Sequence, residues 1–316
     1  MESGDSGNLK LNKLRQLNSQ NKKEDRPLNK EGKPYGRYYE NKKTIFFDFE
    51  TTTGRNDKES TIHRPYVVNT SEKEFIGKDC GLQILDDIVE KYGEIYDDKE
   101  KMHDVIDKCI VVKCIAHNCG YDFRFLQEHL HMLETLEKGN GLFTATGLYY
   151  SKGNGGIYWE GKKMKFKPAP DKKIVRIEMV DSLKVINMKL ANFNKTFDLG
   201  DTKKEFMPYD FFTEENVEER YIKLSKVQNY IRRNYDGEYY KEFFENCKRW
   251  KCYKIKENLT TGKTKKERYI DIVRYSSEYC RMDCITLEKG YMKFRDMCLE
   301  ACDLDIMDFV SLASLA

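Results

Sequence analysis

Thr44-Ile45-Phe46-Phe47-Asp48-Phe49-Glu50 is the stretch on which the reading of this chain turns. β-Branched and aromatic residues dominate it, so it predicts a strand. In a strand alternate side chains point to opposite faces, which puts Asp48 and Glu50 on the same one. Two carboxylates among Ile45, Phe46, Phe47 and Phe49 are unfavourable in a half-buried strand unless something binds them, and a metal ion is the natural partner. Two solvated acids on an edge strand are the alternative. Asp-x-Glu also begins at Asp57, Asp98 and Asp236, but only the Asp48 copy sits in an apolar, β-prone segment.

Outward from this strand, Thr51 to Thr61 reads as a turn into a second strand near Pro65 to Asn69. Gly81 to Tyr96 has helical apolar spacing, and the run from Cys109 to Ala116 has the character of a strand buried on both faces. Tyr121 to Leu136 is expected to be helical through Phe125, Leu126, Leu130 and Leu133. Leu148 to Trp159 predicts a hairpin around Gly153 to Gly156, and Ile174 to Val180 predicts a buried strand ending at Asp181. An amphipathic helix near Leu183 to Phe197, a helix from Thr213 to Tyr235, a basic strand-turn-strand from Trp250 to Ile272 and a last long helix from Ser276 to Cys302 follow. Interleaved strands and helices imply an α/β or mixed α+β domain with a mixed sheet.

Two further acids stand where that pattern places functional residues. Asp122 ends Asn118-Cys119-Gly120-Tyr121-Asp122, where a central strand gives way to the expected helix, a usual place for site residues on α/β sheets. Asp283 lies four residues after Tyr279, so a helix puts both on one face. Four carboxylates from a strand, a strand end and a helix can hold two Mg²⁺ or Mn²⁺ ions about 4 Å apart, as in-line phosphoryl displacement by water requires. Hard oxygen ligands favour these ions over Zn²⁺.

Composition bounds the remaining possibilities. The chain has 316 residues, 39% hydrophobic and 34% charged, as a folded protein does and a disordered one does not. No apolar run approaches the roughly 18 residues that span a bilayer, so no membrane partner is expected. The N-terminus lacks a secretory h-region, and an intracellular location is expected, with the compartment open between a viral replication site, the cytoplasm and the mitochondrion. Ten cysteines then read as reduced thiols. The groupings Cys280/Cys284, Cys298/Cys302 and Cys114/His117/Cys119 raise zinc as a rival but lack tight CxxC pairs. The formal charge of +3 hides a split: residues 1–43 carry 11 basic and 6 acidic residues, and 248–268 carry 9 and 2. Residues 1–43 read as a flexible basic arm.

Taken in order, FFDFETTT (46–53), AHNCGYD (116–122) and YCRMD (279–283) resemble the three exonuclease motifs of the 3′-to-5′ proofreading domain in family B DNA polymerases. DFETTT, DSLK (181–184) and KEFMP (204–208) look most like the protein-primed branch found in phages, linear plasmids and eukaryotic viruses, and residues 300–316 resemble the segment leading from exonuclease into polymerase there. The resemblance implies an RNase H-like exonuclease fold with a mixed central sheet flanked by helices. It implies Asp48, Glu50, Asp122 and Asp283 as ligands of two Mg²⁺ or Mn²⁺ and Tyr279 as the residue that orients the attacking water. The related histidine type would carry His where Glu278 stands. It further implies that Thr51, Asn118, Tyr121, Ser182 and Leu183 contact the single-stranded 3′ end of DNA and that Lys204 supports catalysis, with Lys203 competing if the register shifts by one. The product would be a nucleotide, and a terminal protein primer would reach the chain through its parent polymerase.

The expected organisation is an arm over 1–43, an exonuclease domain over 44–296 with a basic insertion at 246–272, and a segment over 297–316 that leads toward a polymerase domain. No palm motif with its aspartates is found, so the stretch is expected to be the exonuclease part of a longer DNA-directed DNA polymerase engaged in replication and proofreading. A stand-alone exonuclease acting on DNA or RNA and a catalytically silent nucleic-acid-binding module are the rival expectations.

Overall fold

A computed structural model of the chain describes residues 42–55, 61–96, 102–138, 141–151, 156–160, 163–167, 173–200, 205–260, 263–302, 305–309 and 311. Nearly all of the arm expected over 1–43 lies outside these residues. The opening run becomes strand β1 (Lys42–Arg55), which pairs antiparallel with β2 (Thr61–Thr70), and β2 pairs with β3 (Glu74–Ile76). The other strands of the first sheet are β4 (Glu94–Ile95), β5 (Val111–Ala116), β6 (His131–Lys138) and β7 (Gly141–Tyr150). After the separate pair β8 (Gly156–Glu160) and β9 (Lys163–Lys167) comes β10 (Lys173–Asp181). The sheet order is β3-β2-β1-β5-β10-β7-β6, with β4 pairing β10. β1, β5 and β10 run parallel and the other pairings are antiparallel, giving the mixed α/β sheet anticipated for an RNase H-like fold.

Alternation along β1 builds the two halves of the core. Phe47 and Phe49 pack with Ile84, Leu85, Ile88 and Val89 of the helix Cys80–Tyr92 on one side of the sheet. Phe46 turns the other way, toward Leu287 and Tyr291 of the helix Ile272–Cys302, with its ring 5.6 Å from that of Tyr291. Each such side chain contributes about 1.5–3 kcal/mol on full burial. Asp48 and Glu50 share the Phe46 parity and so belong to the face that carries the long helix. That helix is fastened to β2: Tyr66 and Ser276 hydroxyls lie 2.6 Å apart, Asn69 Nδ2 donates to Ser277 O at 2.5 Å, and Cys284 Sγ donates to Asn69 O at 3.1 Å. At Gly290 an added Cβ would sit 2.3 Å from Phe193, so only glycine admits that ring.

The expected run Cys109–Ala116 is interrupted by Lys113, which is buried within β5, ion-paired to Glu178 at 3.3 Å and hydrogen-bonded to Met307 O. A buried ammonium is tolerated because both partners compensate its lost hydration.

Six expected elements are corrected. Thr51–Thr61 is not all turn, because β1 continues to Arg55 and pairs there with β2, and Gly81–Tyr96 is helical only to Tyr92, after which Glu94–Ile95 pairs with β10. Tyr121–Leu136 is not a helix: a single turn, Cys119–Asp122, and two short 3₁₀ turns lead into β6, whose backbone bonds are satisfied by β7 instead. Leu148–Trp159 is not a hairpin, because β7 pairs with β6 and β10 while β8 pairs with β9; residues 152–155 lie outside the described residues. Leu183–Phe197 is divided into Ser182–Val185, a 3₁₀ turn and Phe193–Phe197. Thr213–Tyr235 is divided at Arg220, which adopts φ 59 between the helix Glu214–Glu219 and β11 (Tyr221–Lys223), before the helix Leu224–Asn234 begins. In the last two cases apolar residues at near-helical spacing are buried by short pieces, since tertiary packing outweighs a weak local preference.

The basic strand-turn-strand is observed as β12 (Tyr253–Thr260) and β13 (Lys263–Asp271), which form a three-stranded sheet in the order β11-β13-β12. With the helices Leu224–Asn234 and Gly237–Arg249 it builds a second core around Tyr275, whose ring stacks on Phe243 at 4.4 Å. Ile272–Cys302 joins the two cores and runs through residue 296. No helix among the described residues is long and apolar enough to cross a membrane.

Candidate active site

β1 pairs with β5 only as far as Phe46↔Ile115, so its acids project past the end of β5. β10 ends level with β5, at Asp181↔Ala116, leaving a crevice at the C-terminal ends of the three parallel strands. The chain turns into this crevice at Asn118, a non-glycine residue at φ 66. Asp181, 1% exposed, holds that turn: its Oδ1 accepts from the Asn118 N–H at 2.9 Å and from the Leu183 N–H at 3.0 Å. Four residues on, Asp122 is 2% exposed and accepts the Phe49 N–H at 3.3 Å. From the opposite side the long helix supplies Tyr279, Cys280 and Asp283 on one face, and Cys280 Sγ donates to Asp48 O at 3.0 Å.

The result is a cleft of about 380 Å³ lined by Asp48, Glu50, Asp122 and Asp283, with Thr51, Asn118 and Tyr121 at its wall. Seven of the eleven expected site residues therefore meet in one place. Tyr279 stands behind the wall, 1% exposed, with its hydroxyl 2.9 Å from that of the lining residue Tyr209. Ser182 and Leu183 do not line the cleft; Ser182 Oγ lies 2.9 Å from His117 Nδ1, so it supports a residue that does. Lys204, and its competitor Lys203, lie outside the described residues.

Electrostatics distinguish this cleft from an ordinary acidic surface. Glu50 and Asp283 are buried along with Asp122, and no Lys or Arg is found among the described lining residues. Burial first, and then the neighbouring Asp48 charge, push the Asp122 carboxyl well above the usual carboxylate range. Burial also raises the Tyr279 hydroxyl far above its ordinary value, with Asp283 adding to the effect, so it remains a neutral phenol. A divalent cation would relieve both the desolvation and the mutual repulsion of the acids. Oxygen atoms of Asp48 and Glu50 and the Cys280 sulfur lie within 4.8 Å of one another. The thiol is the odd member, and burial pushes it upward toward the protonated form, leaving the carboxylates as the hard donors. The donor set fits Mg²⁺ or Mn²⁺.

The remaining cysteine groupings show no closed zinc arrangement among the described residues, and eight of the nine free cysteines described are buried.

Several lining residues were not legible from sequence. His63 comes from β2 opposite Thr53, and its Nδ1 lies 2.8 Å from Tyr121 OH, which is itself 2.7 Å from Thr51 Oγ1. The register of β1 with β2 and the turn that carries Tyr121 together make this triplet. Tyr209 and Asp210 follow the KEFMP string and His117 precedes Asn118, so adjacency to those motifs was the available signal.

Comparisons with known proteins place the chain among polymerases. A family model described as DNA polymerase type B, organellar and viral, matches residues 108–316. A DNA polymerase of Kluyveromyces lactis is 22% identical over 277 residues, an alignment covering 84% of this chain and 23% of that protein. The chain thus spans about a quarter of the length of that curated relative. Among solved structures, an orthorhombic crystal form of Phi29 DNA polymerase gives a TM-score of 0.32 at 12% identity, over 81% of this chain and 31% of that one. Phi29 DNA polymerase complexed with single-stranded DNA gives 0.29 at 13% identity, over 52% and 25%. These structural likenesses are too partial to carry an inference.

Proposed function

The chain belongs to the organellar and viral type B DNA polymerases, and we propose that its acidic cleft is a 3′-to-5′ exonuclease centre that removes nucleotides from single-stranded DNA ends during replication. The observation that carries this reading is the convergence of Asp48, Glu50, Asp122 and Asp283, from a strand, a strand end and a helix, in one cleft without a described Lys or Arg. We take the unit as residues 44–296, derived from a protein-primed polymerase that would bring a terminal protein as partner.

The four carboxylates would hold two Mg²⁺ or Mn²⁺ ions, which when bound supply charge neutralisation at the attacking and leaving oxygens. Tyr279 stays protonated and is fixed by Tyr209, so it can orient a water by hydrogen bonding without acting as a base. Thr51, Tyr121 and His63 form a linked polar wall that can hold sugar and phosphate of any sequence. The Tyr121 ring offers a face for an unpaired terminal base, a contact worth about 1–3 kcal/mol. Asn118 lines the approach from its left-handed turn, and Ser182 supports His117. Lys204 is proposed to offset charge on the scissile phosphate. The product is a nucleoside 5′-monophosphate.

An oligonucleotide labelled on its 3′-terminal nucleotide tests the reading. With Mg²⁺ the label is released as a mononucleotide, and the double substitution Asp48→Ala, Glu50→Ala abolishes release. Release at the same rate from the double variant would remove the acids from the mechanism.

A further inference from the structure

The β12–β13 hairpin and the outer side of the helix Gly237–Arg249 enclose a groove of about 640 Å³ that shares no lining residue with the acidic cleft. Its apolar surface comes from Tyr240, Phe244, Tyr253 and Ile255, with Tyr253 40% and Ile255 64% exposed. The Tyr240 and Phe244 rings lie 4.7 Å apart and form one aromatic step along the helix. Lys241, Lys248, Lys254 and Arg268 also line the groove, against the single carboxylate of Glu245.

Cations nearby are partnered: Lys223 pairs with Glu267, Lys266 with Glu257 and Arg249 with Glu205. Among the described residues none of the four groove cations forms an ion pair, although Glu245 stands four residues from Lys241 and three from Lys248 on the same helix. Four like charges beside one another repel, and exposed rings and an exposed isoleucine on an edge strand are unfavourable in water. A ligand that is anionic along its length and carries flat apolar faces satisfies both features together. An acidic peptide supplies the charge without the faces. Duplex DNA supplies the charge but keeps its base faces stacked inside, whereas a single strand presents both.

We propose that this groove is a second binding site, for single-stranded DNA, with phosphates on Lys241, Lys248, Lys254 and Arg268 and bases against Tyr253, Ile255 and the Tyr240–Phe244 pair. The site stands independently of nuclease activity at the acidic cleft. It would hold strand lying away from the 3′ end.

The test uses the full chain in EDTA and a circular oligothymidylate of about 30 nucleotides, longer than the roughly 4–16 nucleotides that single-strand grooves span. A circle has no 3′ end, so it does not report on the acidic cleft. Fluorescence anisotropy gives Kd as salt is varied. Four phosphate contacts at about 0.7 counterion each contribute roughly 2.8 to the slope of log Kd against log salt, or about 50-fold weaker binding between 50 and 200 mM. Replacing all four cations by glutamine is expected to lower the slope by that amount, and Arg268→Gln alone by about 0.7. Tyr253→Ala is expected to weaken binding on the order of 10-fold with the slope unchanged, because it removes stacking and no charge. Circular dichroism melts confirm that each variant is folded. Unchanged affinity and slope in the four-cation variant would overturn the proposal. So would a charge effect with no effect of Tyr253→Ala, together with heparin binding as tightly as the circle; that pattern would identify a general polyanion or acidic-chain surface.

Discussion

Replacing Asp181 by alanine and by asparagine separates the two jobs this residue could have. Its Oδ1 accepts the N–H groups of both Asn118 and Leu183, at 2.9 and 3.0 Å. Alanine leaves both donors without an acceptor, and each orphaned donor costs about 1–3 kcal/mol. Both bonds are only partly buried, so water recovers some of the loss, and roughly 2–3 kcal/mol is expected in total. At about 2–4 °C per kcal/mol in a chain of this size class, melting falls by roughly 5–10 °C. Asparagine keeps an oxygen in place, and because the Asn118 and Leu183 bonds converge on Oδ1 it can retain those two. Its melting is expected within about 3 °C of the native chain, with weaker bonds because the acceptor is no longer charged. The same contrast should appear in catalysis. Asp181→Ala frees the turn that carries Asn118 and leads to Asp122, and misplacement by about 1 Å lowers turnover on the order of 100-fold. Thermal melting and 3′-end hydrolysis, measured well below either melting point, are the assays. If asparagine is as damaging as alanine in both, the carboxylate acts through its charge and the positioning account of this turn is wrong.

Further outcomes concern the acids and their neighbours. The Asp122 carboxyl is raised above its ordinary value of 3.8 by burial and by Asp48, so the folded chain holds that proton to higher pH than the unfolded one. Metal-free stability therefore falls as pH rises above that value through the folded pKa, and Asp122→Asn removes the penalty. In EDTA at neutral pH the variant should be more stable than the native chain by about 1–3 kcal/mol and melt higher. Saturating Mg²⁺ should reverse the order, since only the native site gains the full ligand stabilisation; the same order in both buffers would count against metal binding there. Tyr279→Phe keeps the buried ring and removes the hydroxyl that meets Tyr209, so stability should change by about 1 kcal/mol or less. Turnover should drop with KM nearly unchanged, and a purely KM effect would assign Tyr279 to binding. His63→Ala loosens the Thr51–Tyr121 wall and should raise KM for the 3′ end more than it lowers kcat, which steady-state kinetics on single-stranded primers would reveal.

The parts of the molecule that were legible in the sequence are those where one local pattern had a single structural outcome. Alternation in Thr44–Glu50 is enough to put Asp48 and Glu50 on one face, and the apolar majority of Cys109–Ala116 and Ile174–Val180 marks β5 and β10 as buried strands. Helical spacing did the same for Tyr279 and Asp283. The errors came where apolar spacing had two solutions. Leu126, Leu130 and Leu133 satisfy a helical template, yet the chain from His131 onward gains its backbone bonds from β7 and becomes an edge strand. His63 has no motif around it and reaches the cleft only through strand register, whereas Tyr209 follows KEFMP directly but meets Tyr279 only through long-range packing. Asp181 reads from sequence as the end of a strand, and the backbone N–H groups it accepts are set only by the turn at Asn118.

The most direct test of the central claim is a time course on a 5′-labelled single-stranded oligonucleotide with Mg²⁺, comparing the native chain with Asp283→Ala. Asp283 comes from the long helix, far in sequence from the strand acids, so its effect depends on the convergence seen in the fold. The native chain should produce a ladder that shortens one nucleotide at a time from the 3′ end and disappears in EDTA, and Asp283→Ala should stop it. A native chain that leaves the oligonucleotide intact with both Mg²⁺ and Mn²⁺, or an Asp283→Ala chain that shortens it at the native rate, would contradict the account.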